Sequence, residues 1–383
     1  MKKYDVAIVG AGIIGASIAY ELARYDLDVI VLEKNPKVAN ETSLGNTGLI
    51  HGGFDPEPHK LEARLNLDGN RKWQNDWFKH LKFPRVKIDS LILAFDDGQE
   101  MEHIHMLYER GLTNKLDPKD MQILNREQIL AKEPNVNPEV VGGLLCTSSV
   151  AIHPVEATKA LLGASKQNGT DLKVNSAVTK ITKEDGIFKL EINNGSEYVY
   201  ARKIVNAAGH YADVLANENG FDDFKQTTRR GEYRVLDNYD PKLVSSVLFK
   251  VPTIHGKGVV VAPTLDGKYI VGPTAEEGVL KEDTRLVTRE KYDYIGKIGT
   301  QIVPSIKLDR TIMTISGSRP IDIETNDFVI RKSKNDPDFV LAAGMQSPGL
   351  SSAPSIAEDI VELLELELKP RENFNPDYEI DVF

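Results

Sequence analysis

Three glycines near the start of the chain are spaced as a dinucleotide-binding turn requires. Gly10, Gly12 and Gly15 form a Gly-x-Gly-x-x-Gly motif directly after an apolar run at residues 4–9, which predicts a strand. The first glycine permits a sharp turn, the second leaves room for a pyrophosphate, and the third lets the next helix lie close to the sheet. Glu33, eighteen residues after Gly15, is placed to bind ribose hydroxyls. The motif alone does not distinguish FAD from NAD, and a glycine-rich turn without a ligand is the alternative.

A histidine follows a run of small and hydroxyl-bearing residues after the second predicted strand. Residues 41–50 read Glu-Thr-Ser-Leu-Gly-Asn-Thr-Gly-Leu-Ile, and His51 comes next. The backbone of such a loop can pass close to a flat ring and donate hydrogen bonds to its edge. An imidazole titrates near neutral pH and can take the proton of a substrate hydroxyl while hydride leaves the same carbon. We therefore predict that His51 is the catalytic base. A histidine that only hydrogen-bonds its own loop is the alternative.

Two basic residues are candidates for binding an anionic substrate. Lys257 lies between two glycines, where backbone N–H groups and one ammonium can together hold a phosphate. Arg319 lies between a serine and a proline and offers a planar fork for the same oxyanion. Taken singly, each residue is more often a solvated surface charge or a salt-bridge partner. Arg229 and Arg230 either line the same cavity or form ordinary charge pairs at a strand edge.

The elements that must position these residues alternate between two kinds of unit. Segments with strand–helix alternation at 1–82, 141–220 and 318–370 predict a discontinuous Rossmann-like nucleotide-binding domain in an α/β fold. Segments rich in antiparallel strand patterns at 83–140 and 221–317 predict a sheet-based substrate domain. Residues 371–383 form a predicted acidic, partly ordered C-terminal tail.

Several predicted helices carry specific expectations about their ends. The apolar spacing over residues 58–81 predicts one long helix that breaks at Gly69. A helix over residues 100–110 is expected to end at Gly111, and the last helix is expected over residues 355–366 after a glycine turn. The positive end of that last helix would face the bound ring and favour negative charge on it, which is the reason for preferring FAD to NAD.

The composition excludes several classes of protein. The 383 residues are 41% hydrophobic and 27% charged, as in ordinary globular proteins. A net charge of -10 argues against nucleic-acid binding, which requires a basic surface. With one cysteine, Cys146, the chain forms no internal disulfide and no cysteine-ligated metal cluster, which fits a reducing cytoplasm. The N-terminus lacks the apolar core of a signal peptide, and we expect no transmembrane anchor.

Seven further motifs extend the pattern through most of the chain, up to about residue 364. These motifs are residues 41–53, 146–149, 206–213, 226–233, 251–258, 317–322 and 344–350. With these motifs and the glycine turn, the chain resembles the FAD-dependent D-amino-acid-oxidase superfamily, and within it the short bacterial glycerol-3-phosphate oxidases. The resemblance implies a Rossmann-like FAD-binding domain and an antiparallel substrate domain of the type found in D-amino-acid oxidase and glutathione reductase.

The resemblance also assigns residues to ligands. The catalytic base falls on His51, and the substrate-binding positions are Thr47, His51, Lys257, Arg319 and Ser347. The positions for FAD are Gly10, Gly12, Ile14, Gly15, Glu33, Lys34, Thr42, Ser43, Thr47, Gly48, Leu49, Val178, Ala208, Gly209, Gly344, Met345, Gln346, Gly349, Leu350 and Ser351. No metal site is expected, and the roles of His210 and His255 are left open.

The chain departs from the family's pattern at two positions. Thr47 stands where the family usually has serine, which keeps the hydroxyl. His153 stands where aspartate is usual, which costs the next helix a good N-cap. Some relatives carry additional C-terminal helical or cysteine-bearing domains that are absent from this sequence. We therefore expect no built-in iron–sulfur cluster that would carry electrons away.

The implied activity is oxidation of sn-glycerol 3-phosphate to dihydroxyacetone phosphate, with oxygen reduced to hydrogen peroxide. Alternatives are a glycerol-3-phosphate dehydrogenase that passes electrons to quinone, an L-2-hydroxyglutarate dehydrogenase or another 2-hydroxy acid or amine flavin oxidoreductase, and a flavin-binding protein without turnover. The expected partners are sn-glycerol 3-phosphate and oxygen, in the cytoplasm. The sequence leaves open peripheral membrane association and the oligomeric state.

Overall fold

The computed structural model describes residues 2–222, 224–251 and 258–380. Its helices are α1 (Ile13–Leu22), α2 (Leu61–Lys72), α3 (Phe78–His80), α4 (Gln99–Thr113), α5 (Arg126–Lys132), α6 (Pro154–Gln167), α7 (Ala212–Glu218), α8 (Arg289–Ile302) and α9 (Gly349–Leu363). Its strands are β1 (Lys3–Val9), β2 (Val29–Leu32), β3 (Leu49–Ile50), β4 (Leu81–Lys82), β5 (Arg85–Lys87), β6 (Ser90–Ala94), β7 (Met121–Asn125), β8 (Gly142–Cys146), β9 (Val150–Ile152), β10 (Asp171–Lys173), β11 (Val178–Glu184), β12 (Ile187–Ile192), β13 (Glu197–Asn206), β14 (Gln226–Leu236), β15 (Val247–Lys250), β16 (Val260–Pro263), β17 (Tyr269–Gly272), β18 (Glu276–Glu277), β19 (Thr311–Asp322), β20 (Val329–Lys332), β21 (Phe339–Ala343) and β22 (Tyr378–Glu379).

The first sheet is organised around β1. Strand β1 pairs in parallel with β2 on one side and with β13 on the other, and β10 and β21 extend the parallel part. Both faces of β1 are covered. Val6 and Ile8 pack with α1, α6 and α9, whereas Ala7 and Val9 pack with β12, β13 and α7. This two-sided burial explains why β1 and β2 read as continuous apolar runs, as strands of parallel sheets do.

The second sheet is mainly antiparallel. In the part of the chain that the structure describes, its strand order is β18-β14-β17-β16-β15-β6-β8-β7, and β19 pairs with the other edge of β14. The pairing of β6 with β15 is parallel, and the remaining pairings are antiparallel. Helix α8 packs against β14 and β17. The two sheets confirm the predicted α/β fold with a Rossmann-like layer and an antiparallel layer.

One strand bears on the domain division. Strand β8 lies between β6 and β7 in the second sheet, although the predicted first domain resumes at residue 141. We therefore propose that the first domain resumes after Cys146. The other boundaries of the division remain predictions.

The predicted helix over residues 58–81 changes its helical type instead of breaking at Gly69. Helix α2 ends at Lys72, a π-helical turn covers Trp73–Trp77, and α3 follows. Gly69 lies inside α2 because α9 passes close to it, and an added Cβ would collide with the carbonyl oxygen of Ser351. Gly111 likewise lies inside α4, where an added Cβ would collide with the sulfur of Met121. Both glycines therefore permit close packing and end no helix.

Helix α9 begins at Gly349, earlier than the predicted residue 355, and it contains Pro354. Proline has no N–H, so the carbonyl of Leu350 loses its partner within the helix. The indole Nε1–H of Trp73 donates to that carbonyl at 3.1 Å. This hydrogen bond satisfies the carbonyl and joins the π-helical turn to α9.

The segment after Arg371 is attached to the first sheet's helices. The Arg371 guanidinium donates to the carbonyls of Ala23, Tyr25 and Leu27 beyond the carboxyl end of α1, at 2.9–3.2 Å. Farther on, β22 pairs with β4, and the ring of Tyr378 covers Gly163 of α6. Residues 371–380 therefore form an ordered strap, and the last three residues of the predicted tail, 381–383, lie outside the described residues.

Among residues 2–222, 224–251 and 258–380, no helix combines the length and the apolar character that a membrane span requires.

Candidate active site

A cavity of about 770 Å³ extends between the two sheets. Residues of β11 and α7 contribute to its lining, as do residues of β14, β15, β16 and β19 of the second sheet. Its volume lies within the range of about 300–1,000 Å³ typical of ligand sites. The predicted residues that line it are Gly10, Gly12, Ile14, Glu33, Lys34, Thr42, Ser43, Thr47, Leu49, His51, Val178, Ala208, Gly209, Arg319, Met345, Gln346, Ser347, Gly349 and Leu350.

Four predicted residues that the structure describes are not in that lining: Gly15, Gly48, Gly344 and Ser351. Lys257 lies outside the described residues, as does His255.

The glycine turn has the geometry that its sequence predicts. Gly10 has a φ of +107°, which a residue with a side chain rarely adopts. An added Cβ on Gly15 would collide with the carbonyl oxygen of Gly10, so the third glycine lets α1 approach the turn. The N–H groups in the first turn of a helix have no acceptor within the helix. The N-terminus of α1 therefore offers donors and a positive dipole end to an anion in the cavity.

The first of those donors is used by the following loop. The N–H of Ile13 donates to the Oγ of Ser43 at 2.9 Å. An added Cβ on Gly12 would lie 3.1 Å from the same oxygen. Ser43 and Gly12 are thus coupled, and a side chain at Gly12 would displace the loop.

Glu33 is buried and held by three hydrogen bonds. One carboxylate oxygen accepts from the N–H of Ala11 at 2.9 Å. The other accepts from the backbone and side-chain N–H groups of Asn35 at 2.8 and 2.9 Å. These bonds fix the carboxylate beside the glycine turn, at the position where a ribose is bound in dinucleotide sites.

The loop before His51 is shaped by a residue that sequence reasoning did not single out. The Asn46 side chain donates to the carbonyls of Thr42 and Ser43, and its oxygen accepts from the N–H of Gly48 at 2.8 Å. Gly48 has a φ of +67°, and an added Cβ would collide with the carbonyl oxygen of Ile152. An asparagine before a small residue in a loop is the available signal, because its side chain can bond nearby backbone groups.

The backbone of His51 is held on both sides. Its N–H donates to the Oγ of Ser351 at 2.8 Å, and its carbonyl accepts from the Nδ2 of Asn70 at 2.9 Å. The imidazole centroid lies 6.4 Å from that of Phe249, at an interplanar angle of 50°. A second cavity of about 20 Å³, large enough for one water, lies beside His51 and is also lined by Asp55 and Lys250. Ser351 and Asn70 thus position the histidine from behind the cavity wall.

Arg319 extends along the cavity face of the second sheet. Its Nη2 donates to the carbonyl of Thr274 at 2.9 Å and its Nε to the carbonyl of Arg229 at 3.4 Å. Burial lowers the pKa of the guanidinium, and the nearby charge of Arg229 lowers it further, while Tyr233 raises it. The bonds to carbonyls orient the fork without neutralising its charge, which is the state suited to an anionic ligand.

The other two arginines of this region have carboxylate partners and lie outside the cavity lining. Arg229 donates to one carboxylate oxygen of Glu277 at 2.6 and 2.9 Å. Arg230 points to the opposite face of β14, where it pairs with Glu232 and Glu276 at 3.1 and 2.6 Å. Their geometry is that of structural charge pairs.

His210 lies in the cavity wall next to the FAD-assigned loop. Its Nε2 lies 2.8 Å from the carbonyl oxygen of Ser318, and the hydroxyl of Thr42 donates to the same oxygen at 2.7 Å. Burial lowers the pKa of this imidazole to about 4, although the bond to Ser318 opposes the shift. His210 is therefore neutral at neutral pH and donates from Nε2, joining the loop to β19.

The turn between β21 and α9 reaches the same cavity from the other end of the chain. Gly344 has a φ of +66°, and its N–H donates to the side chain of Gln226 at 2.7 Å. The Gln346 side chain donates to Glu62 at 2.7 Å. These bonds fix the turn so that the N-terminus of α9 borders the cavity.

Comparison with known proteins places this architecture among characterised relatives. The sequence pattern of the family described as "FAD dependent oxidoreductase" matches residues 5–363. Two curated relatives are named glycerol 3-phosphate oxidase. That of Mycoplasma pneumoniae is 47% identical over 382 residues, and that of Mycoplasma genitalium is 48% identical over 382 residues, with 99% of each chain covered in both cases. A solved structure of the dithionite-reduced L-alpha-glycerophosphate oxidase of M. pneumoniae with FAD bound has a TM-score of 0.98 at 47% identity, over 100% of both chains.

Proposed function

The chain belongs to the FAD dependent oxidoreductase family, and from that premise we propose that it is a glycerol-3-phosphate oxidase. It oxidises sn-glycerol 3-phosphate at its second carbon to dihydroxyacetone phosphate and reduces oxygen to hydrogen peroxide. The names and full-length similarity of the Mycoplasma relatives support this activity. The observation that carries it is that His51 and Arg319 line the same cavity as the glycine turn.

The cofactor is FAD, and the residues present fit it. The cavity joins a glycine turn, a fixed carboxylate and a helix N-terminus to residues of the second sheet, as a molecule with a pyrophosphate and a flat ring requires. Bound FAD supplies the two-electron acceptor for hydride from the substrate carbon and the donor that reduces oxygen. Ile14 would hold the pyrophosphate, Glu33 the ribose and Val178 the adenine end, while Thr47 and Leu49 would border the flat ring.

The substrate phosphate binds to Arg319, whose guanidinium is oriented by carbonyls and retains its charge. Ser347 and Thr47 line the same cavity and complete the site. Lys257, outside the described residues, remains a predicted second cation. A phosphate with three terminal oxygens matches this set of one planar cation and several hydroxyl donors better than a single carboxylate does.

His51 removes the proton from the second-carbon hydroxyl as hydride leaves that carbon. The imidazole needs no movement of its backbone, because the bonds to Ser351 and Asn70 fix both of its peptide groups. The positive end of α9 favours the negative charge that accumulates in the cavity during this step. The water-sized cavity lined by His51, Asp55 and Lys250 has room for one water beside the imidazole.

Anaerobic mixing of the FAD-loaded protein with sn-glycerol 3-phosphate tests the proposal. The flavin absorbance near its visible maximum should be bleached, and admitting oxygen should restore it with one hydrogen peroxide per turnover. Substrate-dependent reduction of an artificial dye without formation of hydrogen peroxide would indicate a dehydrogenase instead. Bleaching by L-2-hydroxyglutarate and not by the phosphorylated alcohol would indicate the hydroxy-acid alternative.

We also propose that the protein works in the cytoplasm with sn-glycerol 3-phosphate and oxygen as its partners. The single cysteine, Cys146, supports a reducing compartment. Fractionation of cells followed by peroxide assay of the cytosolic and membrane fractions tests this location and, with it, peripheral membrane association.

A further inference from the structure

Tyr233 is a cavity residue to which neither the glycine turn nor the substrate motifs give a role. It lies in β14 on the same face as Arg229 and Gly231, since side chains of a strand alternate between faces. Only 6% of its surface is exposed, and that surface borders the cavity. Gly272 of β17 packs against its ring from the side, because an added Cβ there would lie 2.8 Å from the ring's Cδ1. The ring is therefore fixed against the sheet.

The guanidinium of Arg319 reaches toward Tyr233 across Gly231. In the antiparallel register of β14 and β19, Arg319 lies opposite Arg229 and Gly317 lies opposite Gly231. Gly231 therefore lies between Arg319 and Tyr233 on this face of the sheet. An added Cβ on Gly231 would lie 3.4 Å from the Nη2 of Arg319. The absent side chain thus leaves the space through which the arginine approaches the tyrosine. Arg319 lies close enough for its charge to act on the Tyr233 phenol.

The Tyr233 hydroxyl makes no hydrogen bond to any residue in the described ranges, although the residue is buried. The hydroxyl oxygen itself keeps some accessible surface, because it is not one of the fully buried polar atoms that lack a partner. A phenol of a buried tyrosine usually has a hydrogen-bond partner. Burial raises the pKa of this phenol to about 12, so that it keeps its proton and acts as a donor throughout the neutral range. The missing partner is therefore an acceptor that enters the cavity.

We propose that the Tyr233 hydroxyl donates a hydrogen bond to the anionic end of the substrate, beside the guanidinium of Arg319. The adjacent strands β14 and β19 then contribute one neutral donor and one cation to the site that holds the anion. This inference rests on the proposed function, since it names a binding residue for the phosphate of the same substrate. It makes Tyr233 a determinant of affinity and leaves the proton transfer to His51.

Replacing Tyr233 with phenylalanine tests the hydrogen bond, because Tyr233→Phe keeps the ring and its packing. We expect the KM for sn-glycerol 3-phosphate to rise about 10-fold to 100-fold, as for loss of a hydrogen bond to a charged group. The kcat should stay within about twofold of the wild-type value, because the proton acceptor is untouched. The inhibition constant of inorganic phosphate should rise by a similar factor. Tyr198→Phe, on the exposed part of β13, is the matched control and should change neither constant.

An unchanged KM and an unchanged inhibition constant in Tyr233→Phe would overturn the proposal, because a tyrosine that only packs loses nothing in this variant. A readout without turnover separates it from the proposed function. Inorganic phosphate should raise the thermal midpoint of the FAD-loaded wild type more than that of Tyr233→Phe. If the wild type is not bleached by sn-glycerol 3-phosphate, the proposed activity fails, and this difference in phosphate stabilisation still decides the role of Tyr233.

Discussion

The backbone N–H of His51 donates to the Oγ of Ser351 at 2.8 Å, although 300 residues separate the two in the chain. Ser351 lies in the first turn of α9, and His51 follows β3. His51 lines the cavity, whereas Ser351 is not part of the lining. The bond therefore transmits the position of α9 directly to the residue proposed to take the substrate proton.

Ser351→Ala should lower kcat/KM about 3-fold to 10-fold, since it removes one hydrogen bond of about 0.5–1.5 kcal/mol that positions His51. Ser352→Ala is the matched control, because among the described residues the Ser352 hydroxyl bonds only to the carbonyl of Pro348 at the N-cap of its own helix. Steady-state peroxide formation by both variants measures the effect. Equal losses in the two variants would mean that α9 is weakened generally and that the bond to His51 has no special role.

His51→Ala should lower the rate of anaerobic flavin bleaching by about 10²- to 10⁴-fold, the usual contribution of a general base. FAD should remain bound, because the backbone contacts of the loop do not use the imidazole. Stopped-flow absorbance measures the rate, and the visible spectrum measures FAD content. His59→Ala, at an exposed position, is the control. Turnover at the wild-type rate in His51→Ala would remove His51 from the mechanism.

Arg319→Lys should raise the KM for sn-glycerol 3-phosphate by about 10-fold or more. Lysine keeps a positive charge but lacks the planar fork that binds two oxygens and the bonds to the Thr274 and Arg229 carbonyls. Arg289→Lys on the exposed face of α8 serves as the comparison. A KM equal to that of the wild type would show that the phosphate lies elsewhere.

The neutral state of His210 predicts a pH dependence of stability. Its pKa is about 4 in the folded protein against an ordinary 6.5, so the unfolded chain binds the extra proton first as the pH falls. Stability attributable to His210 is therefore complete above pH 6.5 and is lost progressively down to about pH 4, by up to about 3 kcal/mol. His210→Gln keeps a donor for Ser318 and should flatten this part of the profile. Urea unfolding of both proteins between pH 4 and 7 measures the difference in unfolding free energy. If the two proteins lose the same free energy of unfolding over this range, His210 is not the group responsible.

Trp73→Phe should destabilise the protein by about 1–3 kcal/mol, because the carbonyl of Leu350 is left buried without a donor. In a Pro354→Ala background the cost should be smaller, since the N–H of the new alanine can bond to Leu350 within α9. Denaturant unfolding of the wild type, both single variants and the double variant gives the coupling free energy between the two substitutions, as a double-mutant cycle. Additive effects of the two substitutions would mean that the indole bond does not compensate for the proline.

Local patterns in the sequence predicted the parts of the site that depend on short-range geometry. The φ of Gly10 and the close approach at Gly15 follow from the residue types of one turn, and the apolar run at β1 follows from its burial on both faces. The side chains that line the cavity near His51 and Arg319 were found through motifs. Their separation into catalytic and binding roles remains a prediction.

Contacts between distant segments could not be predicted from spacing. Gly69 and Gly111 read as helix breakers, but each provides space for a neighbour from another part of the chain. Helix α9 begins earlier than predicted and continues through Pro354, because the Leu350 carbonyl that the proline leaves without a partner accepts a hydrogen bond from Trp73. Tyr233 ends the motif at residues 226–233, but the motif gives it no role, because an unbonded hydroxyl is visible only when its surroundings are known.

The cavity draws its walls from the segments around Gly10, Val178, Arg319 and Gly349, and these are synthesised in that order. When only the first two segments have left the ribosome, the chain contains the glycine turn but not α9, which borders the cavity from the other side. Because domains acquire structure as they emerge, capture of the cofactor must wait until translation has passed residue 350. The nascent chain therefore lacks the complete cofactor cavity for nearly its whole elongation.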